Sequence, residues 1–245
     1  MKAAMRILAA LCACAFGLAP AALTEEAAVM RMQVSDGEHT VMFELNDTPA
    51  AGSLYDQLPL ELDVGDYGGN EKTFYPPLAL DGANAREGGG DAGGLAYFSP
   101  WGDVAMYYGA FGSYPGLWLL GEAVEGAEAI DALSGTIRVT PGPSEYRSIA
   151  QDAAAEILAG EGDFILLDVR TEDEYAQGHI PGAICVPNET IGEEPPEQLP
   201  ELRQTILVYC RSGRRSKEAS AKLAAMGYVN VIEFGGINTW TGEVE

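Results

Sequence analysis

A cysteine followed by a glycine and three arginines is the most chemically distinctive part of this sequence. Cys210 follows the apolar residues 205–209 and precedes residues 217–226, which have the pattern of a helix. The sequence therefore predicts a buried strand that delivers the cysteine to a turn, and a turn that opens a helix. Backbone N–H groups at a helix N-terminus are unpaired and carry positive potential, so the site attracts anions. A cysteine placed there has a lowered pKa and is more often a nucleophilic thiolate.

Cationic side chains crowd this loop although the chain is strongly acidic. The 245 residues contain 14 Lys and Arg against 37 Asp and Glu, which gives a formal net charge of -23. Four of the eight basic residues from residue 144 onward lie between Arg211 and Lys217. The acidic total argues against nucleic-acid binding, which needs basic patches. A purely structural role for Cys210 is disfavoured, because a glycine and three arginines are poor core material.

The sequence of residues 210–215 resembles the active-site loop of rhodanese-type sulfurtransferases. Residues 167–170, 172–175 and 178–183, and then residues 234–240, resemble other signatures of that family in the same order. The resemblance covers residues 144–245, a full single rhodanese domain. It implies that Cys210 takes a sulfane sulfur from a small anionic donor such as thiosulfate and passes it to cyanide or a thiol.

The same resemblance assigns roles to the neighbours of Cys210. Backbone N–H groups of the loop would cradle the thiolate or persulfide, and the arginines would bind the anionic donor. Asp168 and Arg170 end a neighbouring strand and either support the site, through an ion pair with the loop, or are structural only. The residues expected to bind substrate are Arg211, Ser212, Gly213, Arg214, Arg215 and Ser216.

Two further residues of this region have chemistry of their own. Cys185 could resolve a Cys210 persulfide as a disulfide, but free cysteines are commonly buried, and we interpret it as a core residue. His179 is interpreted as fixing a turn rather than carrying a proton. The four cysteines, Cys12 and Cys14 included, have neither the CxxC spacing of a metal site nor a disulfide framework. We expect no metal and no cofactor.

Two other functions compete with sulfur transfer. Cysteine-based phosphatases and arsenate reductases share this architecture, but the phosphatase loop has five residues between the cysteine and the catalytic arginine. Ser216 holds that position here, whereas Arg215 lies one residue earlier, and the shorter loop favours sulfur over a tetrahedral phosphate. The second competitor is an exported binding protein whose rhodanese unit carries or senses sulfur without turnover.

Strands and helices alternate from residue 144 onward. This alternation predicts an α/β domain with a mostly parallel sheet covered by helices on both faces. Ligands of such sheets bind at the carboxyl ends of the strands, where Cys210 is placed. Strands are predicted at residues 146–149, 164–168, 184–186, 205–209 and 229–233, and helices at 151–158, 172–176, 217–226 and 237–240.

Short strands separated by Gly and Pro turns occupy residues 29–139, and they predict a small closed β-barrel. Residues 45–50, 58–60, 69–72, 102–104 and 116–122 resemble the bacterial cyclophilin-like barrel family. The arginine-containing catalytic stretch of true prolyl isomerases is not found, so the resemblance implies the fold and not that activity. Strands are predicted at residues 30–34, 40–45, 61–64, 95–98, 104–108, 117–121 and 137–139, helices at 48–58 and 124–133, and a loop at 81–94.

The second half of this barrel is rich in aromatic residues, for which two interpretations are open. The rings could line a cleft for a small ligand or a peptide. Alternatively they are ordinary barrel core and rim, which we favour because strand alternation buries every second ring. The residues are Tyr97, Phe98, Trp101, Tyr107, Tyr108, Phe111, Tyr114 and Trp118.

Residues 1–23 have the pattern of a signal peptide: a basic start, a short uncharged apolar run and small residues at the end. The apolar run is too short for a typical spanning helix. Two processing routes are open, namely cleavage near Ala21 or Ala22, and lipoprotein processing at Cys14. Either route predicts an exported protein, which would contact the membrane only through a lipid anchor at Cys14.

The boundary between the two domains is predicted at residues 141–143. Two prolines and a glycine are expected to interrupt regular structure there. The barrel domain then covers residues 24–140 and the rhodanese domain residues 144–245.

Overall fold

The computed structural model describes residues 29–245. The predicted signal peptide and the lipid anchor at Cys14 lie outside the described residues and stay predictions. Within the described part, no helix is both long enough and apolar enough to cross a membrane.

The N-terminal domain is a near-closed antiparallel β-barrel, which confirms the predicted fold. Its nine strands pair in the order β3-β9-β1-β2-β8-β6-β7-β5-β4. Helix α1 (Pro49–Tyr55) follows β2, and a 3-10 helix (Ala127–Ala132) follows β8. The strands are β1 (Met30–Ser35), β2 (Thr40–Leu45), β3 (Leu60–Asp63), β4 (Gly65–Tyr67), β5 (Glu71–Phe74), β6 (Gly94–Phe98), β7 (Asp103–Tyr107), β8 (Leu117–Glu125) and β9 (Thr136–Pro141).

Buried and partly exposed residues alternate along strand β1 of the first hairpin. Met30, Met32 and Val34 of β1 are buried, while the residues between them are partly exposed. This alternation places one face of the strand in the barrel core.

Helix α1 begins where the sequence indicates, because the Thr48 hydroxyl accepts a hydrogen bond from the Ala51 N–H and Pro49 occupies the first turn.

Three parts of the barrel differ from the sequence-based prediction. Strands β4 and β5 were not predicted, because β4 is short, exposed along its length and followed by two glycines. Strand β8 extends to Glu125, so the helix predicted from residue 124 is only the short 3-10 turn. Strand β9 runs through Pro141, which lies opposite Met32 at the end of the β1–β9 ladder.

The eight aromatic residues divide between two environments. Tyr97 is buried in the main core, and Tyr108 and Trp118 pack against that core. The other five lie around one cavity on the outer face of the barrel. The interpretation of the rings as ordinary core and rim did not predict that they converge on a cavity. This cavity, named here the aromatic cleft, is lined among others by Phe98, Trp101, Tyr107, Phe111 and Tyr114.

The C-terminal domain is a five-stranded parallel sheet in the order β10-β14-β13-β11-β12. Helix α4 packs Ala219 and Leu223 into the main core, and α2 contributes Ala154 to a second core. Helices therefore cover both faces of the sheet, as predicted. The elements are β10 (Arg147–Ser148), α2 (Gln151–Leu158), β11 (Phe164–Asp168), α3 (Glu172–Ala176), β12 (Ile184–Cys185), β13 (Thr205–Cys210), α4 (Arg214–Ala225), β14 (Val231–Gly236) and a final 3-10 helix (Ile237–Thr239).

The two domains share one hydrophobic core. Tyr55 of α1 is fully buried, and its hydroxyl donates a 2.7 Å hydrogen bond to the carbonyl of Gly227 beyond the end of α4. Gly227 has a φ of +95°, and an added Cβ would lie 2.3 Å from the Cβ of Pro141. The predicted linker at residues 141–143 is thus packed against both domains, and the Gly142 N–H donates to the Arg31 carbonyl at 2.6 Å.

Candidate active site

Cys210 ends the central strand β13, where the ladder to β14 shifts register and Cys210 lies opposite Gly236. The chain then turns back so closely over β14 that a Cβ on Gly236 would lie 2.4 Å from the Arg211 carbonyl oxygen. Only glycine permits this approach. The turn ends at Gly213, which has a φ of +100° and forms the N-cap of α4. Both glycines are therefore requirements of the loop geometry.

Backbone N–H groups of the loop interact with the Cys210 sulfur. The Gly213 N–H donates to Sγ at 3.1 Å. Burial raises the pKa of the Cys210 thiol, but the N–H groups of Ser216, Ser212 and Gly213 outweigh it, so the pKa lies below its usual value. The loop at the start of α4 therefore favours the thiolate, which is the nucleophilic form.

Ser216 lies beneath the sulfur and connects it to a buried carboxylate. The Ser216 Oγ is 3.7 Å from the Cys210 Sγ and donates to Glu233 Oε1 at 2.7 Å. Glu233 is only 2% exposed, and its Oε1 also accepts a 2.8 Å hydrogen bond from the Gly235 N–H. Its Oε2 accepts from the Ser148 hydroxyl at 3.0 Å. A carboxylate thus lies one hydroxyl away from the reactive sulfur.

Sequence reasoning missed Glu233. The signal that could have identified it is its position as an acidic residue inside the apolar strand β14, whose neighbouring residues are buried. A buried ionisable group costs free energy unless it is hydrogen-bonded, so its presence in a strand interior indicates a specific role.

We expect Glu233→Gln to lower the pKa of the Cys210 thiol further, because a nearby negative charge disfavours the thiolate. The pH dependence of alkylation by iodoacetamide measures that pKa. Ser148→Ala is the matched control, since it removes a hydrogen bond to the same carboxylate without changing any charge. An unchanged or raised pKa in Glu233→Gln would contradict a negative Glu233 that acts on the sulfur.

The three loop arginines have different partners. Arg215 forms a bidentate pair with Glu174 of α3, at 2.7 and 2.9 Å, and its side chain is only 13% exposed. Arg214 is exposed and pairs with Glu218 at 2.6 Å, one turn along α4. Arg211 is exposed, and no carboxylate of residues 29–245 forms an ion pair with it. Arg211 is therefore the loop arginine whose charge is available to an incoming anion.

The Arg215–Glu174 pair ties the start of α4 to α3 across the sequence. Hydrogen bonding from Arg215 is the largest influence on Glu174, and it lowers the pKa of that carboxyl to about 2. A carboxyl with a depressed pKa stabilises the folded state above its unfolded-state pKa, and that stability is lost as the pH falls through the folded-state value.

We therefore expect Glu174→Gln to reduce the acid-induced loss of stability between about pH 5 and about pH 2. Urea unfolding of both proteins across this window measures the effect. Glu172→Gln, an exposed change in the same helix, should keep the pH dependence of the parent. If all three proteins lose stability in parallel, the pair with Arg215 does not hold Glu174 ionised.

Asp168 and Arg170 pair with each other rather than with the cysteine loop, which corrects the predicted ion pair with that loop. Arg170 Nη2 and Nε lie 2.6 and 2.9 Å from Asp168 Oδ2, and both side chains are almost fully buried. Arg170 also donates to the Gly178 carbonyl at 2.7 Å, and its guanidinium lies 5.9 Å from the centroid of the Tyr209 ring. The pair fixes the end of β11 to the segment before β12, beside the strand that carries Cys210.

Cys185 and His179 are the other two residues of this domain that the sequence analysis discussed. Cys185 is partly buried in β12, and burial raises the pKa of its thiol, which makes it a poor nucleophile. His179 stacks on Tyr175 at 3.8 Å between ring centroids, and its Nδ1 lies 3.2 Å from the Tyr175 carbonyl oxygen, as expected of a turn-fixing residue. Across residues 29–245, no three His, Cys, Asp or Glu side chains come close enough together to hold a metal ion.

The position of a phosphatase arginine is filled by a buried hydroxyl. Ser216 is fully buried, its hydroxyl donates to Glu233, and it provides no charge for a phosphate. The arrangement can therefore stabilise a thiolate or persulfide through backbone N–H groups and receive a small anion beside Arg211.

Two protein families match this chain. Residues 34–141 match the Cyclophilin-like family, and residues 150–243 match the Rhodanese-like domain. The two matches meet near the predicted boundary between the domains.

Several curated proteins are similar to the C-terminal domain. Thiosulfate sulfurtransferase PspE of Escherichia coli is 38% identical over 71 residues, which cover 29% of this chain and 68% of that protein. A sulfurtransferase of Allochromatium vinosum is 40% identical over 93 residues, or 38% of this chain and 85% of that protein. The putative sulfur carrier protein YrkF of Bacillus subtilis is 32% identical over 105 residues, or 42% of this chain and 55% of that protein.

Proposed function

The chain belongs to the rhodanese-like family through residues 150–243, and on this premise we propose that it is a sulfurtransferase that works through a persulfide on Cys210. The observation that carries the proposal is the position of the Cys210 sulfur among the N–H groups of its loop, at the start of α4. The proposed donor is a small sulfur-containing anion such as thiosulfate, and the proposed acceptor is cyanide or a thiol.

In the first half-reaction, the Cys210 thiolate attacks the outer sulfur of thiosulfate. A bond forms between that sulfur and Sγ, and the bond to the inner sulfur breaks. The electron pair leaves with sulfite, and the enzyme keeps an ionised persulfide. Arg211 offsets the charge of the approaching anion, and the backbone N–H groups of Ser212, Gly213 and Ser216 hold the negative sulfur without reorganisation.

In the second half-reaction, cyanide attacks the terminal sulfur of the persulfide. Thiocyanate leaves, and the electron pair of the broken sulfur–sulfur bond returns to Sγ as the thiolate. A thiol acceptor, reacting as its thiolate, would take the sulfur in the same way and leave as a persulfide. No external oxidant or reductant is needed, because each half-reaction moves one neutral sulfur atom. Covalent catalysis of this kind divides one transfer into two displacements and predicts ping-pong kinetics.

Thiosulfate:cyanide sulfurtransferase activity of the reduced protein tests this function. We expect thiocyanate to form with parallel lines in double-reciprocal plots at varied cyanide. In the absence of an acceptor, the intact mass should increase by one sulfur atom. Kinetics that require both substrates to be bound together, without any persulfide, would contradict the mechanism.

A sulfur carrier is the second candidate function, and the similarity to the putative sulfur carrier YrkF favours it. A carrier would gain one sulfur on Cys210 but would not form thiocyanate repeatedly. The same experiment separates the two, because persulfide formation is common to both and steady turnover belongs to the sulfurtransferase alone.

A further inference from the structure

The aromatic cleft of the barrel has a floor of small and acidic residues and walls of rings. Its volume is about 480 Å³. Trp101 makes edge contacts with Tyr67 and Phe98, at 5.1 and 5.3 Å between ring centroids, and forms one wall. Tyr107 stacks on Phe111 at 3.7 Å and forms the other. Both sets of rings line the same cavity.

The rim of the cleft is exposed aromatic surface. The exposed fractions are 53% for Trp101, 51% for Tyr67 and 63% for Tyr114. These are three of the largest exposed apolar side chains of residues 29–245, and all three lie at this one cavity. Clustered rings of this kind mark a binding surface rather than scattered surface residues.

Asp103 lies in the floor of the cleft and has an unsatisfied carboxylate oxygen. Its residue is only 4% exposed, and its Oδ1 has no hydrogen-bond partner among the described residues. A buried carboxylate oxygen without a donor is costly, so it indicates a donor that arrives with a ligand. Burial, with a smaller contribution from the negative charge of Glu71, raises the pKa of Asp103 above its usual value.

The ionisable side chains that line the cleft, apart from its tyrosines, are all acidic. Glu71 is the second carboxylate of the lining, and it lies opposite Tyr107 in the β5–β7 ladder. In the described part of the chain, no Lys, Arg or His lines the cavity. Aromatic faces also attract cations through their quadrupoles. The carboxylates and the aromatic rings therefore both favour a cationic ligand.

We propose that the aromatic cleft binds a small organic amine in its protonated form, with an apolar body between the ring walls. The ammonium N–H would donate to Asp103 Oδ1, and Glu71 would supply the second negative charge. A quaternary ammonium has no N–H and satisfies only the cation–ring contacts, so it should bind more weakly than a primary amine. The binding site is separate from Cys210 and does not depend on sulfur transfer.

A matched ligand series tests the proposal by isothermal titration calorimetry on the full protein. The probes are phenethylamine, its trimethylammonium analogue, 2-phenylethanol and 3-phenylpropionate, which share one ring and differ in charge and donors. We expect phenethylamine to bind with a Kd below about 1 mM, and each of the other three at least about tenfold more weakly. An alcohol that binds as tightly as the amine, or an amine that does not bind in this range, would overturn the proposal.

Amino-acid substitutions test whether phenethylamine binds in the aromatic cleft. Asp103→Asn should raise the Kd for phenethylamine at least about tenfold, because it removes the charge that receives the ammonium group. Trp101→Ala, at a position that is 53% exposed, should weaken binding several-fold and serves as the second test if Asp103→Asn fails to fold. Glu128→Gln, an exposed acidic change outside the cleft, and Cys210→Ser should both keep the Kd of the parent. Unchanged binding in both cleft variants would place the amine elsewhere and refute the assignment.

Discussion

Cys210→Ser is expected to abolish thiocyanate formation from thiosulfate and cyanide while the protein stays folded. A serine hydroxyl is not ionised at neutral pH, and it cannot form the sulfur–sulfur bond on which the transfer depends. Cys210 is only 1% exposed, and serine is close to cysteine in size, so the geometry around Gly213 should be kept. Thiocyanate assays and intact mass after thiosulfate treatment measure the loss of turnover and of the persulfide together.

Cys185→Ser is the matched control, because Cys185 is the other free cysteine of the described residues. It lies in β12, and its thiol pKa is raised by burial rather than lowered. We expect this variant to keep both turnover and the persulfide. Loss of activity in Cys185→Ser would mean that the two thiols work as a pair, and residual turnover in Cys210→Ser would remove Cys210 as the nucleophile.

Asp168→Asn is expected to destabilise the protein by about 3 kcal/mol, because it leaves the buried charge of Arg170 uncompensated. Removing one partner of a buried ion pair is costly, whereas replacing both partners by apolar residues is often nearly neutral. The double variant Asp168→Leu with Arg170→Met should therefore recover much of the lost stability. Urea denaturation of the parent, Asp168→Leu, Arg170→Met and the double variant gives the coupling free energy of the pair, and Asp168→Asn is measured beside them.

An exposed ion pair of similar geometry provides the comparison. Arg203 binds Asp56 through two hydrogen bonds of 2.7 and 2.5 Å, but both side chains are more than 40% exposed. Asp56→Asn should therefore cost no more than about 1 kcal/mol. An Asp168→Asn variant that loses no more stability than Asp56→Asn would show that the buried pair is not the fixed support that its geometry indicates.

Local pattern predicted most of the C-terminal fold. An apolar strand, a cysteine, a glycine and then a helical segment were enough to place Cys210 at the carboxyl end of β13. The start of α4 was predicted at Lys217 and lies at Arg214, because Gly213 adopts a left-handed conformation and can end the turn earlier than the composition suggested. The exposed strand β4 was missed because its stability comes from pairing with β5 and not from its own sequence.

The partners of the site residues were harder to predict, because they are distant in sequence. Arg215 and Glu174 are 41 residues apart, and nothing local indicates that α3 and α4 bring them together. Asp168 and Arg170, only two residues apart, could have been predicted to pair with each other. The resemblance instead directed attention to the cysteine loop. For the aromatic residues, strand alternation predicted that some of the rings are buried, without identifying which, and it could not show that five of the eight converge on one cavity.

The core shared by the two domains limits how this pair of folds can be rearranged. Domains joined by a free tether can be exchanged between proteins, because each keeps a complete polar surface. Here the Tyr55 hydroxyl donates a hydrogen bond to the Gly227 carbonyl, and Pro141 leaves no room for a side chain at residue 227. Either domain in isolation would present a contiguous apolar patch to water. Separating the two folds would therefore require substitutions on both sides of the junction, to make polar the surfaces that each domain now buries against the other.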